Sequence, residues 1–530
     1  MHGKEWRAVT ENKLIVPPTF NFAIDVLAQR AELHPSHTAV VSVGMDRREE
    51  RWSYARVLEA TQRFAGALAE AGIRSGDRVL VFMPRTALWL VAMAACHYLG
   101  AVPVPCVTQV SASEVAYRLR RSGARAAVTV SELADRYAGL LDMIDVRFCR
   151  GQAEGWRNLD DALKQDHDVP APALMPADAP ALMYFTSGSS GLPRAVVHAA
   201  RGVFVRSWQP WHLFDTSEKD VIWTTSDTGW TRAGSCLLYG AWFWGATALI
   251  VEPGLSPQEK VDMLARHGVT IYSAVATELR QILSSATPVP LPRLRFTLSA
   301  GEAMTEELSH AWTRFSGAPL LVAYGQTETP QCTITTRETT PENGMIGLPM
   351  PGNVVTVLDD HNHPCPAGEP GELAVRADNP GLMLGYWNDG EIEPGFSGGW
   401  HRTGDAAYMD KAGNIFFVGR SDDIISSSGY RIGPTEVENA LMIHPAVKEC
   451  AVTAVPDPLR GEAVKAYVVL EPGYLPSDEL VNALQAHVKG SIAPYKYPRR
   501  IDFLEELPRT PSGKVSRRLL RESTGARRTG

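Results

Sequence analysis

The sequence lacks the cysteine patterns that build disulfide frameworks and zinc sites. Its 530 residues contain seven cysteines, an odd total with no CxxC pair, which excludes both a regular set of disulfides and a cysteine zinc site. Scattered cysteines are typical of buried, reduced thiols, so we predict a reducing, cytoplasmic setting. The cysteines are Cys96, Cys106, Cys149, Cys236, Cys332, Cys365 and Cys450.

Long apolar runs and a dominant charge are also missing. The most hydrophobic stretch, residues 88–96, is well short of the roughly 20 residues that a membrane-spanning helix needs. We therefore predict a buried helix there and no membrane span. Residues 1–7 lack the apolar core of a secretion signal. A formal net charge of −7 provides no broad basic surface, which disfavours nucleic acid as a partner.

Alternation of apolar strands and helices is what the sequence does contain. A chain of 530 residues exceeds what one hydrophobic core normally organises, so at least two domains are expected. Apolar runs at 77–84, 101–106 and 124–130 are predicted strands, separated by predicted helices at 88–99 and 114–121. The same rhythm returns between 220 and 328. This α/β pattern predicts a large N-terminal lobe of helix-covered, mostly parallel sheets.

The predicted secondary structure changes in the last third of the chain. From Gly347 onward short strands with frequent glycine and proline predict a small β-rich subdomain. After Arg420 a helix at 435–442 and strands near 449–455 and 464–470 predict a compact α+β unit. We place an N-terminal domain at 1–420 and a small C-terminal domain at 421–530.

A loop of small residues follows the apolar segment that ends at Phe185. It reads Thr-Ser-Gly-Ser-Ser-Gly-Leu-Pro-Arg from Thr186 to Arg194, and such loops let backbone N–H groups close around phosphate oxygens. Glycine and serine clusters also form ordinary turns. The Gly-Lys-Ser/Thr of a Walker loop is absent, because Pro193 and Arg194 follow the last glycine, and this disfavours a P-loop NTPase.

Further blocks follow in a fixed order along the chain. They are Ser299–Glu302, Tyr324–Thr329, Trp400–Asp405, Gly419–Asp423, Ser428–Gly433 and Pro511–Lys514. Together with the loop at 186–194, they closely resemble the adenylate-forming superfamily of acyl-CoA synthetases, adenylation domains and luciferases, over nearly the whole chain. The resemblance implies ATP, Mg²⁺ and coenzyme A as cofactors, and a small carboxylic acid as substrate. The acid itself attacks the α-phosphate, so the protein supplies positioning and charge rather than a nucleophile.

The resemblance also implies a role for each matching residue. Thr186–Gly191 should hold the outgoing phosphates, Thr327 should contact the α-phosphate, and Glu328 should ligate Mg²⁺, which prefers oxygen ligands. Adenine and ribose should be bound by Gly301, Glu302, Ala303, Tyr324, Gly325, Gln326, Asp405 and Arg420. The full phosphate-loop set is Thr186, Ser187, Gly188, Ser189, Ser190 and Gly191. Lys514 completes the catalytic set with Thr327 and Glu328, because its ammonium can neutralise charge growing at the α-phosphate.

A second half-reaction, in which a thiol attacks the acyl-adenylate, is implied as well. By resemblance the C-terminal domain rotates about a hinge at Asp422 and withdraws Lys514, and Arg431 then approaches the substrate. Basic and aromatic side chains suit the phosphates and adenine of CoA, although each alone is equally typical of an ordinary surface. The predicted CoA-binding residues are Ser428, Gly429, Tyr430, Arg460, Tyr495, Lys496 and Tyr497.

Several segments are especially similar to medium-chain acyl-CoA synthetases, among them Ser226–Trp230 and Ala493–Arg499. Acetyl-CoA synthetases place a tryptophan directly before Gln-Thr-Glu, whereas this chain has Gly325, whose missing side chain should leave the acyl tunnel open. We therefore predict a straight or branched medium-chain acid. The candidate acyl wall is Trp230, Val275, Ala276, Gly301 and Gly325; for Val275 a role in the core is equally expected.

Alternatives stay open at this point. An aryl-CoA ligase for benzoate-like acids shares the same chemistry, as does an acyl-AMP ligase that loads a separate carrier protein, and a nucleotide-binding regulator is a different class. No carrier segment follows Lys514, which favours free CoA. The family usually has lysine and often glycine where Arg194 and Ala195 stand, so the role of Arg194 is undetermined. Both a monomer and a homodimer are compatible with the sequence.

Overall fold

The computed structural model describes residues 9–10, 13–141, 143–186, 193–427, 430–458, 460–509 and 515–523. Its largest sheet contains thirteen strands among these residues. In spatial order they are Val355–Leu358, Gly371–Arg376, Trp400–Met409, Ile415–Arg420, Met345–Pro349, Gln331–Ile334, Leu320–Gly325, Phe296–Ala300, Ile271–Ser273, Val221–Thr224, Thr247–Val251, Thr38–Val43 and Glu49–Ser53.

The middle of this sheet is parallel, from Leu320–Gly325 across to Thr38–Val43. Its strands are apolar on both faces; all five residues of Thr247–Val251 are buried. Such strands require helices on both sides of the sheet. Antiparallel strands take over at Gln331–Ile334 and continue into the β-rich segment. The predicted helix-covered parallel lobe and the β-rich subdomain are thus joined in one continuous sheet.

A second sheet and a third lie in the N-terminal region. The second contains five parallel strands: Val102–Pro105, Arg78–Val81, Ala126–Val130, Val146–Arg150 and Arg157–Asn158. The third is antiparallel and contains Pro180–Thr186, Arg194–Ala199, Gly385–Asn388 and Glu391–Glu393. Thr186 pairs with Arg194 at the end of the third sheet. Val9–Thr10 pairs antiparallel with Lys13–Leu14.

Helices pack between and around these sheets. Ala87–Leu99, the predicted apolar helix, has all of its residues buried, and it ends at Gly100, whose left-handed φ of 69° suits glycine. The other α-helices here are Gln29–Leu33, Tyr54–Glu70, Ala112–Ser122, Ser131–Arg136, Ala138–Leu141, Leu159–Ala162, Ala200–Trp208, Thr231–Ala233, Ala241–Phe243, Pro257–Arg266, Ala276–Ser285 and Glu306–Ser316. Ala23–Ala28 and Gly234–Gly240 are π-helical, and His212–Phe214 is a 3₁₀ turn.

The C-terminal residues form an α+β unit with its own apolar core. Its sheet contains Tyr430–Ile432, Ile425–Ser427, Gly461–Leu470 and Val447–Asp457, with Arg500–Phe503 parallel to Gly461–Leu470. The helices are Pro434–Met442, Asp478–Ser491 and Arg517–Ser523, with a 3₁₀ turn at Pro494–Lys496. Ile425, Val437, Val452, Val468 and Leu484 belong to one buried cluster. A separate core is what allows a unit of this size to fold as a domain.

Two sequence predictions about burial can be compared with the structure. Six of the seven thiols are buried and Cys365 is half-buried. No helix in the described ranges has both the length and the apolar character required to cross a membrane.

Candidate active site

Gly301, Glu302, Tyr324, Gly325 and Gln326, five of the predicted nucleotide residues, lie at one edge of the large sheet. Ile271–Ser273, Phe296–Ala300 and Leu320–Gly325 are neighbouring parallel strands, so their carboxyl ends meet at the same edge, where open α/β sheets bind ligands. The Glu302 carboxylate, after the second strand, accepts a hydrogen bond from the backbone N–H of Thr277 at 2.8 Å. This contact joins the loop after Phe296–Ala300 to the first turn of the helix Ala276–Ser285.

Asp405 lies at the centre of a polar cluster on this edge. Its side chain is buried and accepts hydrogen bonds from Tyr324 Oη at 2.5 Å and Gln326 Nε2 at 2.7 Å, both at Oδ2. Arg420 Nη1 donates to the other oxygen, Oδ1, at 2.9 Å. Gln326 Nε2 also donates to the carbonyl of Thr403 at 2.8 Å. Four predicted nucleotide residues are therefore brought into mutual contact.

The ionisation of this cluster is shifted by burial and by its own charges. Burial raises the pKa of Asp405, although Arg420, Tyr324 and Gln326 oppose that shift. Burial and the neighbouring Asp405 carboxylate raise the pKa of Tyr324 well above its ordinary value, so Tyr324 stays a hydroxyl donor. Burial would lower the pKa of Arg420, but Asp405 and Asp422 outweigh it and the net shift is upward. A carboxylate held by three donors is suited to accept further hydroxyl groups.

Glu328 forms a second cluster three residues beyond Gly325. Its side chain is buried, and Oε1 contacts Arg194 Nη2 at 3.3 Å and accepts the Tyr386 hydroxyl at 3.0 Å. The Arg194 guanidinium lies 4.0 Å from the centre of the Tyr386 ring. Burial and the Glu328 carboxylate raise the pKa of Tyr386, so its hydroxyl keeps its proton. The structure thereby assigns Arg194 a partner that the sequence did not reveal.

The main chain of Thr327 is positioned by a hydrogen bond from a neighbouring strand. His198 Nε2 donates to the carbonyl oxygen of Thr327 at 2.8 Å. Burial and the nearby Arg206 lower the pKa of His198 well below its usual range, so this imidazole is neutral. His198 and Arg194 lie four residues apart on Arg194–Ala199, where alternate residues share a face. One strand thus contacts two consecutive residues of the Gln-Thr-Glu element.

The Glu328 carboxylate fits the chemistry of a hard cation. Both of its contacts are made by Oε1, and no described residue donates to Oε2. No group of three or more His, Cys, Asp or Glu side chains in the described part of the chain is arranged to enclose a metal. Mg²⁺ is usually held by one or two carboxylates together with substrate phosphates. A single buried carboxylate with one open oxygen matches that pattern.

Some of the residues predicted to line the acyl pocket lie at the same edge of the sheet as the nucleotide residues, and others lie in the apolar core. Gly301 has φ +83°, and a Cβ there would meet Arg232 Nη2 at 3.3 Å. Ala276 is fully buried, and Val275 lies at the start of Ala276–Ser285. Trp230 is partly buried against an apolar cluster that includes Phe82, Met183 and Phe185.

Gly325 lies close to the backbone of a neighbouring segment. We expected its missing side chain to open an acyl tunnel, but a Cβ at this position would lie 2.5 Å from the carbonyl oxygen of Pro330 and 2.9 Å from the Cα of Gln331. Gly325 pairs with Gln331 next to an irregularity in the strand register. Close backbone approach is therefore a separate reason for glycine at this position, and the acyl tunnel stays a prediction.

The predicted CoA residues of the C-terminal unit have partners inside that unit. Lys496 Nζ pairs with Glu436 Oε2 at 2.5 Å. Lys489 Nζ and Arg499 Cζ lie 4.0 and 3.8 Å from the centre of the Tyr497 ring. Tyr495 is 39% exposed, so part of its ring can meet a ligand. The backbone N–H of Arg460 donates to Asp457 Oδ1 at 3.1 Å.

The remaining predicted residues are only partly described. Ser187, Gly188, Ser189, Ser190, Gly191, Ser428, Gly429 and Lys514 lie outside the described residues. Tyr430 and Arg431 lie on Tyr430–Ile432, which pairs with Ile425–Ser427. At the predicted hinge, Asp422 Oδ1 is 3.7 Å from Arg420 Nε. Thr186 ends its strand opposite Arg194, and Ala303 follows Glu302 in the loop after Phe296–Ala300.

Sequence reasoning missed two residues of this site, His198 and Tyr386. His198 is the polar residue among the five buried positions of the strand Arg194–Ala199, and a histidine inside a buried strand is a recognisable signal of a specific partner. Tyr386 is 58 residues from Glu328 in the chain. No local pattern connects them, because only the pairing of Gly385–Asn388 with Arg194–Ala199 brings that hydroxyl to the carboxylate.

Comparison with known families agrees with this geometry. The family model of AMP-binding enzymes matches residues 27–387, and that of the AMP-binding enzyme C-terminal domain matches residues 436–514. The chain belongs to the AMP-binding enzyme family. This membership confirms the resemblance drawn from the sequence blocks.

Relatives within the AMP-binding family match the chain almost end to end. The human mitochondrial acyl-coenzyme A synthetase ACSM3 is 35% identical over 96% of this chain and 90% of its own length. The uncharacterized acyl-CoA ligase YtcI of Bacillus subtilis is 34% identical over 96% of this chain and 97% of its own.

Solved structures of AMP-binding enzymes share the fold. The anthranilate CoA ligase AuaEII in complex with anthranoyl-AMP is 27% identical with a TM-score of 0.85, covering 96% of this chain and 98% of that one. The O-succinylbenzoate CoA synthetase of Bacillus subtilis, in complex with ATP and magnesium ion, is 28% identical with a TM-score of 0.80, covering 93% and 98%. The predicted α/β class is therefore confirmed.

Proposed function

We propose that this chain is an ATP-dependent carboxylic acid:CoA ligase. It joins the acid to AMP with release of pyrophosphate, and it then transfers the acyl group to the thiol of CoA. The observation that carries this proposal is the edge of the large sheet. There the buried Asp405 carboxylate accepts hydrogen bonds from Tyr324 and Gln326. Two residues beyond Gln326, the buried Glu328 carboxylate has one oxygen, Oε2, to which no described residue donates. Relatives that are named acyl-CoA synthetases, aligned over nearly the whole chain, support the same reaction.

In the first half-reaction the chain binds ATP and orients its α-phosphate toward the acid. Asp405, with Tyr324, Gln326 and Arg420 around it, accepts the ribose hydroxyls, since a charged acceptor gives stronger hydrogen bonds than a neutral one. Glu328 supplies an oxygen ligand for Mg²⁺, which neutralises phosphate charge when it is bound. Thr327 contacts the α-phosphate, and Lys514 adds a positive charge there. The contacts of Asp405 and Glu328 support their two roles, whereas the role of Lys514, which lies outside the described residues, rests on its matching motif.

The second half-reaction needs the small domain. We propose that the boundary lies at 420/421, that Asp422 is the hinge, and that rotation there exchanges Lys514 for the segment around Gly429. Tyr495, which is 39% exposed, is the aromatic candidate for the CoA adenine. Arg460 is the candidate for a CoA phosphate.

For the acid we propose a straight or branched medium-chain substrate, in fatty acid metabolism. The support is the likeness to acyl-CoA synthetases over 96% of the chain, not Gly325. An apolar pocket distinguishes one methylene by only about 1–3 kcal/mol, so a range of neighbouring chain lengths should be accepted. The buried thiols are compatible with a cytoplasmic location, which we also propose.

The test is a product and substrate analysis of the purified protein. With acid, Mg²⁺ and CoA present, ATP should yield AMP and pyrophosphate, and labelled pyrophosphate should exchange into ATP when acid is present without CoA. Acetate, butyrate, octanoate and benzoate should be compared at saturating CoA, with octanoate or butyrate giving the largest kcat/KM. Formation of ADP would overturn the proposed reaction, and a preference for benzoate or acetate would overturn the proposed acid.

A further inference from the structure

Arg194 and Tyr386 both contact Glu328 and also contact each other. Binding a phosphate would not by itself require Arg194 to make these two contacts. The Arg194 guanidinium lies over the Tyr386 ring at 4.0 Å, and both side chains direct a donor to the same oxygen, Glu328 Oε1, at 3.3 and 3.0 Å. Glu328 is 6% exposed, whereas the Arg194 side chain is 49% exposed. The Glu328 carboxylate is thus buried, whereas the Arg194 side chain that contacts it is partly exposed to solvent.

The ring contact restricts Arg194 to one face of the tyrosine. A planar guanidinium can stack on a ring and donate in its own plane at the same time, and an ammonium cannot. The Tyr386 hydroxyl, in the same ring, then donates to the carboxylate that Arg194 also contacts. The three side chains therefore fix one another in a closed triangle of contacts.

The backbone carbonyls of Thr327 and Glu328 are also hydrogen-bonded. His198, on the same strand as Arg194, donates to the carbonyl of Thr327 at 2.8 Å, and the backbone N–H of Met383 donates to the carbonyl of Glu328 at 2.9 Å. Both the main chain and one carboxylate oxygen of Glu328 are thus restrained. The described residues leave Oε2 without a donor.

We infer that Arg194 and Tyr386 are positioning residues that hold Glu328 by one oxygen so that the other is presented to the metal of the nucleotide complex. This inference rests on the proposed function. It assigns Tyr386 a role in metal recognition that acts through the Glu328 carboxylate, to which its hydroxyl donates. Hydrogen-bond partners of metal-ligating carboxylates orient the ligand, and losing one typically lowers metal affinity about 10–100-fold.

The experiment measures ATP binding by calorimetry in the absence of acid and CoA. Each protein is titrated with ATP once in saturating Mg²⁺ and once in EDTA, and the ratio of the two Kd values gives the enhancement of ATP affinity by the metal. Tyr386→Phe removes the hydroxyl but keeps the ring under Arg194. Tyr408→Phe is the matched control, because Tyr408 packs on Phe416 at 4.8 Å, away from Glu328.

For Tyr386→Phe we expect the enhancement by Mg²⁺ to fall about tenfold, with the affinity in EDTA unchanged within about twofold. Arg194→Lys keeps the charge but loses the planar stack, so its enhancement should fall about threefold or more while its affinity in EDTA is kept. The matched control for that change is Arg376→Lys, an exposed arginine paired with Asp378. Both controls should reproduce the wild type.

Three results would overturn the inference. One is a Tyr386→Phe enzyme with the wild-type enhancement, and a second is an equal loss of affinity in Mg²⁺ and EDTA, which would indicate a merely structural role. A third is a wild-type enzyme that binds ATP with no enhancement by Mg²⁺; this result would leave nucleotide binding, and with it the proposed reaction, standing. A wild-type enzyme that binds no ATP under either condition would overturn both proposals together.

Discussion

The hydroxyl of Tyr324 donates to Oδ2 of Asp405 at 2.5 Å, across 81 positions of the chain. Tyr324 lies near the end of a parallel strand, and Asp405 lies on Trp400–Met409 in the antiparallel half of the same sheet. The contact therefore joins the two halves at the edge where nucleotide is proposed to bind. Because Asp405 is buried, its three donors determine how the carboxylate is oriented.

Asp405→Asn should weaken ATP binding while the fold is kept. Asparagine has nearly the same shape, but a neutral amide loses the charge-assisted acceptor, which is worth about 1.5–3 kcal/mol. We expect the Kd for ATP to rise about 10–100-fold by calorimetry. Asp410→Asn, in the turn after the same strand, should bind ATP normally. Wild-type affinity in Asp405→Asn would contradict the ribose role.

Lys514→Ala should separate the two half-reactions. Removing a charge that acts only in the adenylation transition state costs about 10²–10³-fold in rate, whereas thioester formation from supplied acyl-adenylate should change little. Single-turnover measurements of each step provide the comparison, with Lys411→Ala as a control lysine in the turn after Trp400–Met409. Equal losses in both steps would refute the exchange of conformations about Asp422.

Arg517→Ala should lower the stability of the C-terminal unit. Arg517 Nη2 contacts both oxygens of Glu438 at 2.7 Å and Nη1 lies 3.6 Å from Asp423, and all three side chains are largely buried. Removing the cation leaves the buried Glu438 carboxylate without its arginine partner, at a cost of about 3–5 kcal/mol, whereas Asp423 keeps its pair with Arg521. Hydrogen exchange in Pro434–Met442 measures this loss. Arg518→Ala, which breaks an exposed pair with Glu522, should cost under about 1 kcal/mol, and similar exchange in both variants would contradict the prediction.

His97 should make the protein less stable in acid. Burial lowers its pKa from 6.5 to about 3, and its ring nitrogen contacts the Tyr239 hydroxyl at 2.9 Å. Between those pH values the unfolded chain binds a proton that the folded chain does not, so the free energy of unfolding falls as pH falls through this window. In His97→Gln the slope of stability against pH, from urea unfolding, should decrease by up to about 1.4 kcal/mol per pH unit. An unchanged slope would show that His97 is protonated in the folded protein.

Gly325→Ala should reduce activity toward all acids alike. Its methyl group would meet the Pro330 carbonyl at 2.5 Å, so the backbone at the Gln-Thr-Glu element must move whichever acid is bound. We expect kcat/KM for butyrate and octanoate to fall by the same factor. A selective loss of octanoate would instead restore the tunnel explanation for this glycine.

Much of the fold could be predicted because strand and helix patterns are local. The helix predicted at 88–99 is found at Ala87–Leu99, and the strand predicted at 124–130 is found at Ala126–Val130. Exact boundaries are less local. Within the α/β region predicted between 220 and 328, the strand Ile271–Ser273 begins after Thr270, whose hydroxyl contacts the backbone of Val221. Such contacts come from neighbouring strands and leave no local pattern.

By itself, the order of motifs along the chain determined the family, the cofactors expected and the alternation of strands and helices, because these depend on residues close in sequence. Only the tertiary structure decided that Tyr386 and Arg194 share one oxygen of Glu328, and that Gly325 is required by the backbone of Pro330. Strand pairing between distant segments creates those contacts, and the partner that each side chain meets depends on the register of the paired strands.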